Sequence, residues 1–380
     1  MKFWIGLVLI FAANCYSVTN GIERYDDYKR LLEGKRLGFI VNQSSRIRGS
    51  HSIDFLLKKG MRIETLFALE HGLRGEAEAG EEIKNGKDVQ TGISVVSLYG
   101  KKKAPSKEDL SEIDMILFDV QDLGVRFYTF ISSLKRVLSQ AVKYNKDIVV
   151  FDRPNPFLNI ISGPVLHDEY RSFVGDIKLP ITYGLSIGEL AYYILHVELK
   201  AHDFNKLKVI KFQNFNRRDE FQMPKVFPSP NIRSQQAMHL YPTLALFEPT
   251  KISIGRGTYN PFTFVCAGFR AFGQDLFYPK SIKGLSANPK YKDQTCHGEN
   301  LNDVLVKGFN LSLFKKYFLK WSQYERASIF NSKKFFTLLS GNSYFNQLVK
   351  NKFKNEKALS LMMDKERESF FKVRKDFLLY

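Results

Sequence analysis

Glu70 and His71 open the run Glu70-His71-Gly72-Leu73-Arg74-Gly75, and their types could act on a substrate. A carboxylic acid at the end of a buried strand suits general-acid work, because partial desolvation would raise its pKa toward neutral. A second group stands within residues 115–130. There Asp119 interrupts the apolar run Met115 to Val120, and Gln121, Asp122, Arg126 and Tyr128 follow in one short connection. An ionised carboxylate inside a buried strand is costly unless paired, so Asp119 has either a structural partner or a chemical task. A third group is Asp152-Arg153-Pro154-Asn155-Pro156. Asn42 and Gln43 precede these groups, and Glu189, Asn231, Glu248 and Arg256 follow them. Arg256 lies between two glycines, which permit close approach of backbone to ligand, and it could grip a carboxylate bidentately.

These residues need elements to position them. Apolar runs predict strands over 36–43, 63–69, 94–99, 115–120 and 147–151, with a short helix over 52–59. From Phe127 the apolar positions Phe130, Ile131, Leu134, Val137, Leu138, Ala141 and Val142 form a helical stripe running to Tyr144. The charged, glycine-punctuated segment 76–91 reads as a loop. Strands separated by helices or long crossings imply an α/β protein with a parallel, doubly wound sheet. In such a sheet the carboxyl ends share one edge, so the polar groups would converge on one crevice. The competing reading is that Asp and Asn simply cap the following helices. Ser186 with Glu189 has capping-box spacing, so Glu189 has a structural role open to it as well as a chemical one. Pro228 and Pro230 would stiffen the loop that carries Asn231. From about Cys266 the chain reads as a smaller Lys- and Phe-rich α+β domain. The expected organisation is a leader over 1–20, a main domain over 21–255 and an auxiliary domain over 256–380.

Composition narrows the classes. Hydrophobic content of 44% and charged content of 25% are those of an ordinary globular protein. The net charge of +18 comes from lysines spread along the chain, with short clusters such as Lys101-Lys102-Lys103. No zinc-finger spacing, RNA-binding aromatic motif or basic zipper accompanies it, so no nucleic-acid partner is expected. Attraction to a polyanionic surface, or a compositional habit, accounts for the charge better. No G-x-G-x-x-G follows a strand, and Walker and G-x-S-x-G motifs are missing, so neither a nucleotide cofactor nor a serine-hydrolase elbow is expected. The seven His are scattered without metal-ligand spacing. Lys2 followed by the apolar run Phe3 to Ala13, about 11 residues, is too short to span a bilayer and matches a signal-peptide core. Export to the periplasm or cell envelope is therefore expected. Cys15 after Ala12-Ala13-Asn14 is similar to a lipoprotein cleavage site except at Asn14, with plain cleavage a few residues on as the alternative; membrane attachment would come only through such an anchor. A Cys266–Cys296 disulfide would suit an oxidising compartment.

Taken in order, Glu70 through Gly75, Asp119 through Tyr128, Asp152 through Pro156, Ser172-Phe173-Val174-Gly175, Gly188 through Ala191, Pro228 through Asn231 and Gly255 through Thr258 resemble the exo-β-N-acetylmuramidase family, long a bacterial domain family of unknown function. The ending Arg374 to Tyr380 is similar too, and the resemblance runs from about residue 30 to the end. It implies a Rossmann-like domain with a smaller domain beside the cleft. It also implies release of β-1,4-linked N-acetylmuramic acid from the non-reducing end of peptidoglycan fragments. Leu69, Ile254 and Thr263 depart from the family pattern, which has proline, glutamate and an acid there. Under this reading Glu70 is the acid, and Asp119 or Asp122 is the second carboxylate, with Glu189 and Glu248 in reserve. The substrate's own acetamide oxygen is another candidate nucleophile. Arg126, Arg153 or Arg256 would hold the lactyl carboxylate. Asn42, Gln121, Asn155 and Asn231 would read hydroxyls and the acetamide, while Tyr128 would stack on a pyranose face. His71 and Asp152 complete the expected substrate contacts. Two other classes remain open, a cell-wall-binding lipoprotein that has lost the chemistry, and an esterase or phosphatase on a similar sheet.

Overall fold

The computed structural model describes residues 18–74, 85–325 and 327–380. The leader with Cys15, and residues 76–84 of the charged segment, lie outside the described residues. The main sheet has seven strands: Leu37–Val41 (β1), Ile63–Ala68 (β2), Gly86–Lys87 (β3), Ser94–Ser97 (β4), Met115–Asp119 (β5), Asp147–Phe151 (β6) and Leu207–Ile210 (β7). Their order is β7-β6-β5-β1-β2-β4-β3, and every neighbouring pair is parallel except β3 on β4. β3 is a correction, since it was expected to belong to a loop. Val41 stands opposite both Ala68 and Asp119, and Ala68 opposite Ser97. Four strands thus end level, and the connections carrying Asn42, Glu70, Tyr99 and Gln121 leave by one edge.

Side chains alternate across the sheet because a strand points successive residues to opposite faces. Leu37, Phe39 and Val41 of β1 with Met115 and Leu117 of β5 pack against Tyr28 and Leu32 of Tyr25–Leu32 (α1) and Ile53 and Leu56 of Ser52–Lys58 (α2). Ile40, Ile116 and Phe118 face the other way, onto Ile131, Leu134, Val137 and Leu138 of Phe130–Lys143 (α3). The helix α3 starts three residues later than its stripe. The Arg126 amide donates to the Ile181 carbonyl and Val125 bridges Thr182, which holds this segment extended. Two further helices, Ile187–Tyr193 (α4) and Gln235–Leu244 (α5), complete the main layer. Ser186 caps α4 in the expected box with Glu189.

The smaller C-terminal unit has its own antiparallel sheet, Phe264–Ala267 (β8), Asp275–Phe277 (β9) and Cys296–Asn300 (β10), in the order β8-β10-β9. The Cys266–Cys296 disulfide joins β8 to β10. Helices Leu311–Tyr324 (α6), Lys333–Ser340 (α7), Ser343–Lys350 (α8) and Glu356–Arg374 (α9) follow. Phe314, Phe336 and Phe345 belong to the same apolar cluster as Phe118 and Leu134, so one core runs from the sheet into these helices.

Candidate active site

Glu70 and His71 follow β2 directly, where the chain turns sharply: His71 has φ of 71° and Gly72 of 74°. They line a cavity of about 320 Å³ together with Tyr99, Tyr128, Thr129, Phe173, Asn231, Tyr241, Glu248 and Arg256. Its walls come from the main sheet's edge on one side and from the 227–232 loop, α5, the loop after it and α7 on the other. That volume is near the lower end of the ~300–1,000 Å³ usual for small-molecule sites.

Both oxygens of Glu70 are held. Oε1 accepts from the Tyr99 hydroxyl at 3.1 Å, and Oε2 from the Thr129 hydroxyl. Thr129 occupies the N-cap of α3 but makes no side-chain cap bond there. Its hydroxyl serves the carboxyl instead. Burial, with the Glu70 charge adding to it, keeps the Tyr99 phenol protonated far above neutral pH and therefore a donor. Tyr128 donates to the Pro228 carbonyl at 2.6 Å, and Gln43 donates to the same oxygen at 2.8 Å. The proline loop is fixed by these two bonds, and it presents Asn231, whose amide donates to the Leu285 carbonyl at 3.0 Å. On the far wall Arg256 pairs with Glu248 at 2.8 Å and lies 5.5 Å from the Phe262 ring. Burial alone would lower the Arg256 guanidinium, but Glu248 outweighs it and holds it above its usual value. Behind this pair the Lys290 ammonium donates to the Phe247 and Ile252 carbonyls at 3.0 and 2.8 Å, locking the turn on both sides of Glu248. Burial brings Lys290 down to about 7.

Of the residues singled out in the sequence, Glu70, His71, Tyr128, Asn231, Glu248 and Arg256 meet in this cavity. The expectation of one shared crevice needs correction for the others. Asp119 is fully buried and clamped by Arg153, Nε to Oδ1 at 2.7 Å and Nη2 to Oδ2 at 3.0 Å. Asp122 accepts from the Tyr183 hydroxyl and the Gly124 amide, and burial raises it to about 6. Arg126 is buried with its two terminal nitrogens on four carbonyls, those of Pro164, Leu179, Leu339 and Ser340. Asp152 receives Ser186, Gly188, Arg153 and Tyr380. Asn155 bonds the Leu185 carbonyl and the Phe157 amide. Asn42 receives Ser44, and Glu189 receives Ser186, Arg217 and the Leu379 amide. Gln121 and Arg153 line a different cavity, of about 600 Å³, across the proline loop. The departures Leu69, Ile254 and Thr263 are buried, and none lines the Glu70 cavity.

Sequence reasoning missed Tyr99, Thr129 and Tyr241. Tyr99 ends the 94–99 strand on the edge already under suspicion, which was signal enough. Thr129 reads as an ordinary helix cap, and Tyr241 sits within a core helix, packed 4.9 Å from the Phe262 ring. Among the described residues no cluster of His, Cys, Asp and Glu has metal-site geometry.

Comparison with known proteins identifies the chain's relatives. Residues 37–236 match a family model described as exo-β-N-acetylmuramidase NamZ, N-terminal, and residues 239–380 match its C-terminal counterpart. The peptidoglycan β-N-acetylmuramidase NamZ of Bacillus subtilis (strain 168) is 34% identical over 378 residues, covering 93% of this chain and 89% of that protein. Crystal structures of two DUF1343 family proteins from Bacteroides fragilis NCTC 9343 align with TM-scores of 0.84 and 0.81 at 30% and 27% identity. Each alignment covers 96% of this chain and 99% of the other.

Proposed function

Because the chain belongs to the exo-β-N-acetylmuramidase family, we propose that it is a glycoside hydrolase that releases β-1,4-linked N-acetylmuramic acid from the non-reducing end of peptidoglycan fragments. The observation that carries the reading is Glu70, a carboxyl oriented through both oxygens in a sugar-sized cavity. Glu70 is the general acid that protonates the departing glycosidic oxygen. The second carboxylate in the cavity is Glu248, in place of Asp119 or Asp122, and it stands close to Arg256. The substrate's acetamide oxygen is the other nucleophile available to such a sugar, and water completes the hydrolysis in either case. Asn231 and His71 contact sugar hydroxyls or the acetamide, and Tyr128 and Tyr241 supply apolar wall.

The leader and the disulfide support export to the cell envelope, where peptidoglycan fragments lie. The test is incubation of the full chain with a chromogenic β-N-acetylmuramide and with a defined muropeptide disaccharide. Free N-acetylmuramic acid is the expected product from both. Muropeptide retention without any sugar release would favour a binding protein instead.

A further inference from the structure

The charges lining the cavity do not balance an anionic sugar. Glu70 and Glu248 supply two carboxylates, and the one guanidinium among the described lining residues, Arg256, is already paired with Glu248. Arg126 is occupied by carbonyls, Arg153 by Asp119 beside the other cavity, and Lys290 by two carbonyls. A muramic acid carries a lactyl carboxylate, so a cation must be found elsewhere.

Lys103 stands beside the cavity, next to two of its lining rings. Its ammonium lies 4.0 Å from the Phe173 ring centroid and 4.4 Å from that of Tyr99, and both rings line the cavity. Tyr99 is one of the two hydroxyl donors to Glu70, so the ammonium is tied to the reacting end of the site through one side chain. Arg136 reaches the same Phe173 ring at 5.2 Å, but it is paired with Asp176 at 2.9 Å. Among the described residues Lys103 has no carboxylate ion-pair partner, whereas its neighbour Lys102 is paired with Asp109. Burial and the Arg136 charge both push the Lys103 ammonium below its usual range, with Glu70 opposing them. An ammonium held against two aromatic faces beside a like charge gains from a bound anion.

We propose that Lys103, given the muramidase reading above, receives the lactyl carboxylate and so distinguishes N-acetylmuramic acid from N-acetylglucosamine. It is a specificity residue; it takes no part in proton transfer.

The test is calorimetric titration of the full chain with free N-acetylmuramic acid and with its methyl ester, which replaces the charge by a methyl group. The wild type should bind the acid about tenfold or more tightly than the ester, the scale of one charge-assisted hydrogen bond. Lys103→Met should bring that ratio close to one, Lys103→Arg should keep it, and added salt should reduce it. A wild type that binds acid and ester alike, or a Lys103→Met protein with the full preference, overturns the assignment. A wild type that prefers the acid but releases no sugar overturns the hydrolase reading and leaves Lys103 in its role. One that binds neither compound overturns the assignment of Lys103, and one that also releases no sugar overturns the hydrolase reading with it.

Discussion

Two sets of carboxylates stand at the same edge of the main sheet, and their surroundings separate them. Around Glu70 the partners are hydroxyls, aromatic rings and one ion pair, arranged about open space. Asp119, Asp122 and Asp152 are instead buried against protein, bonded by Arg153, by Tyr183 and by Ser186 with Tyr380. A carboxylate that closes on a guanidinium and a carboxylate that faces a cavity look the same in sequence. The difference lies in what reaches them from distant parts of the chain. Residue 380 bonds Asp152, and residues 339 and 340 bond Arg126. The sealed set joins the C-terminal part of the chain to the sheet, and the cavity set hangs on the frame so formed.

The largest expected effect on stability comes from opening the sealed set. Asp119→Ala leaves the Arg153 guanidinium buried without its partner, which should cost about 3–5 kcal/mol in urea unfolding. The division between scaffold and site would fail if this variant were as stable as the wild type but inactive.

A smaller effect comes from Asp152, which burial, with the Glu189 charge adding, raises from 3.8 to about 7 while its hydrogen bonds oppose the rise. A carboxyl with a raised folded pKa binds its proton more tightly when folded, so its contribution is present below about pH 4 and is lost as pH rises through about 7. Asp152→Asn removes that loss. The stability of the variant relative to wild type should therefore rise between about pH 4 and about pH 8, seen in unfolding curves across that range. Parallel curves would show that the Asp152 carboxyl is not held in the way described.

Much of this was legible from residue patterns, for reasons that stay local. Five strands, the α3 stripe and the Ser186–Glu189 box rest on periodicity or short-range spacing, and the Cys266–Cys296 pair on there being only two cysteines beyond Cys15; all of them form. Of the groups that the parallel edge logic gathered, Glu70 and His71 reach the cavity with Tyr128, while Asn231, Glu248 and Arg256, singled out from their loops, close it from the other side. That logic could not show that the 227–232 loop would come between them and Gln121 with Arg153. That partition depends on a carbonyl, Pro228, bonded by residues 100 and 185 positions away. The Thr129 donor to Glu70 was hidden for a related reason, since a hydroxyl at a helix cap has an ordinary role available and only tertiary contact redirects it.

The central claim is that Glu70 does chemistry while the sealed carboxylates hold structure, and Glu70→Gln tests it most directly. Release of N-acetylmuramic acid from a chromogenic muramide should fall by about 10²–10⁴, the scale of a lost general acid, with thermal stability nearly unchanged. An undiminished rate in that variant would contradict it.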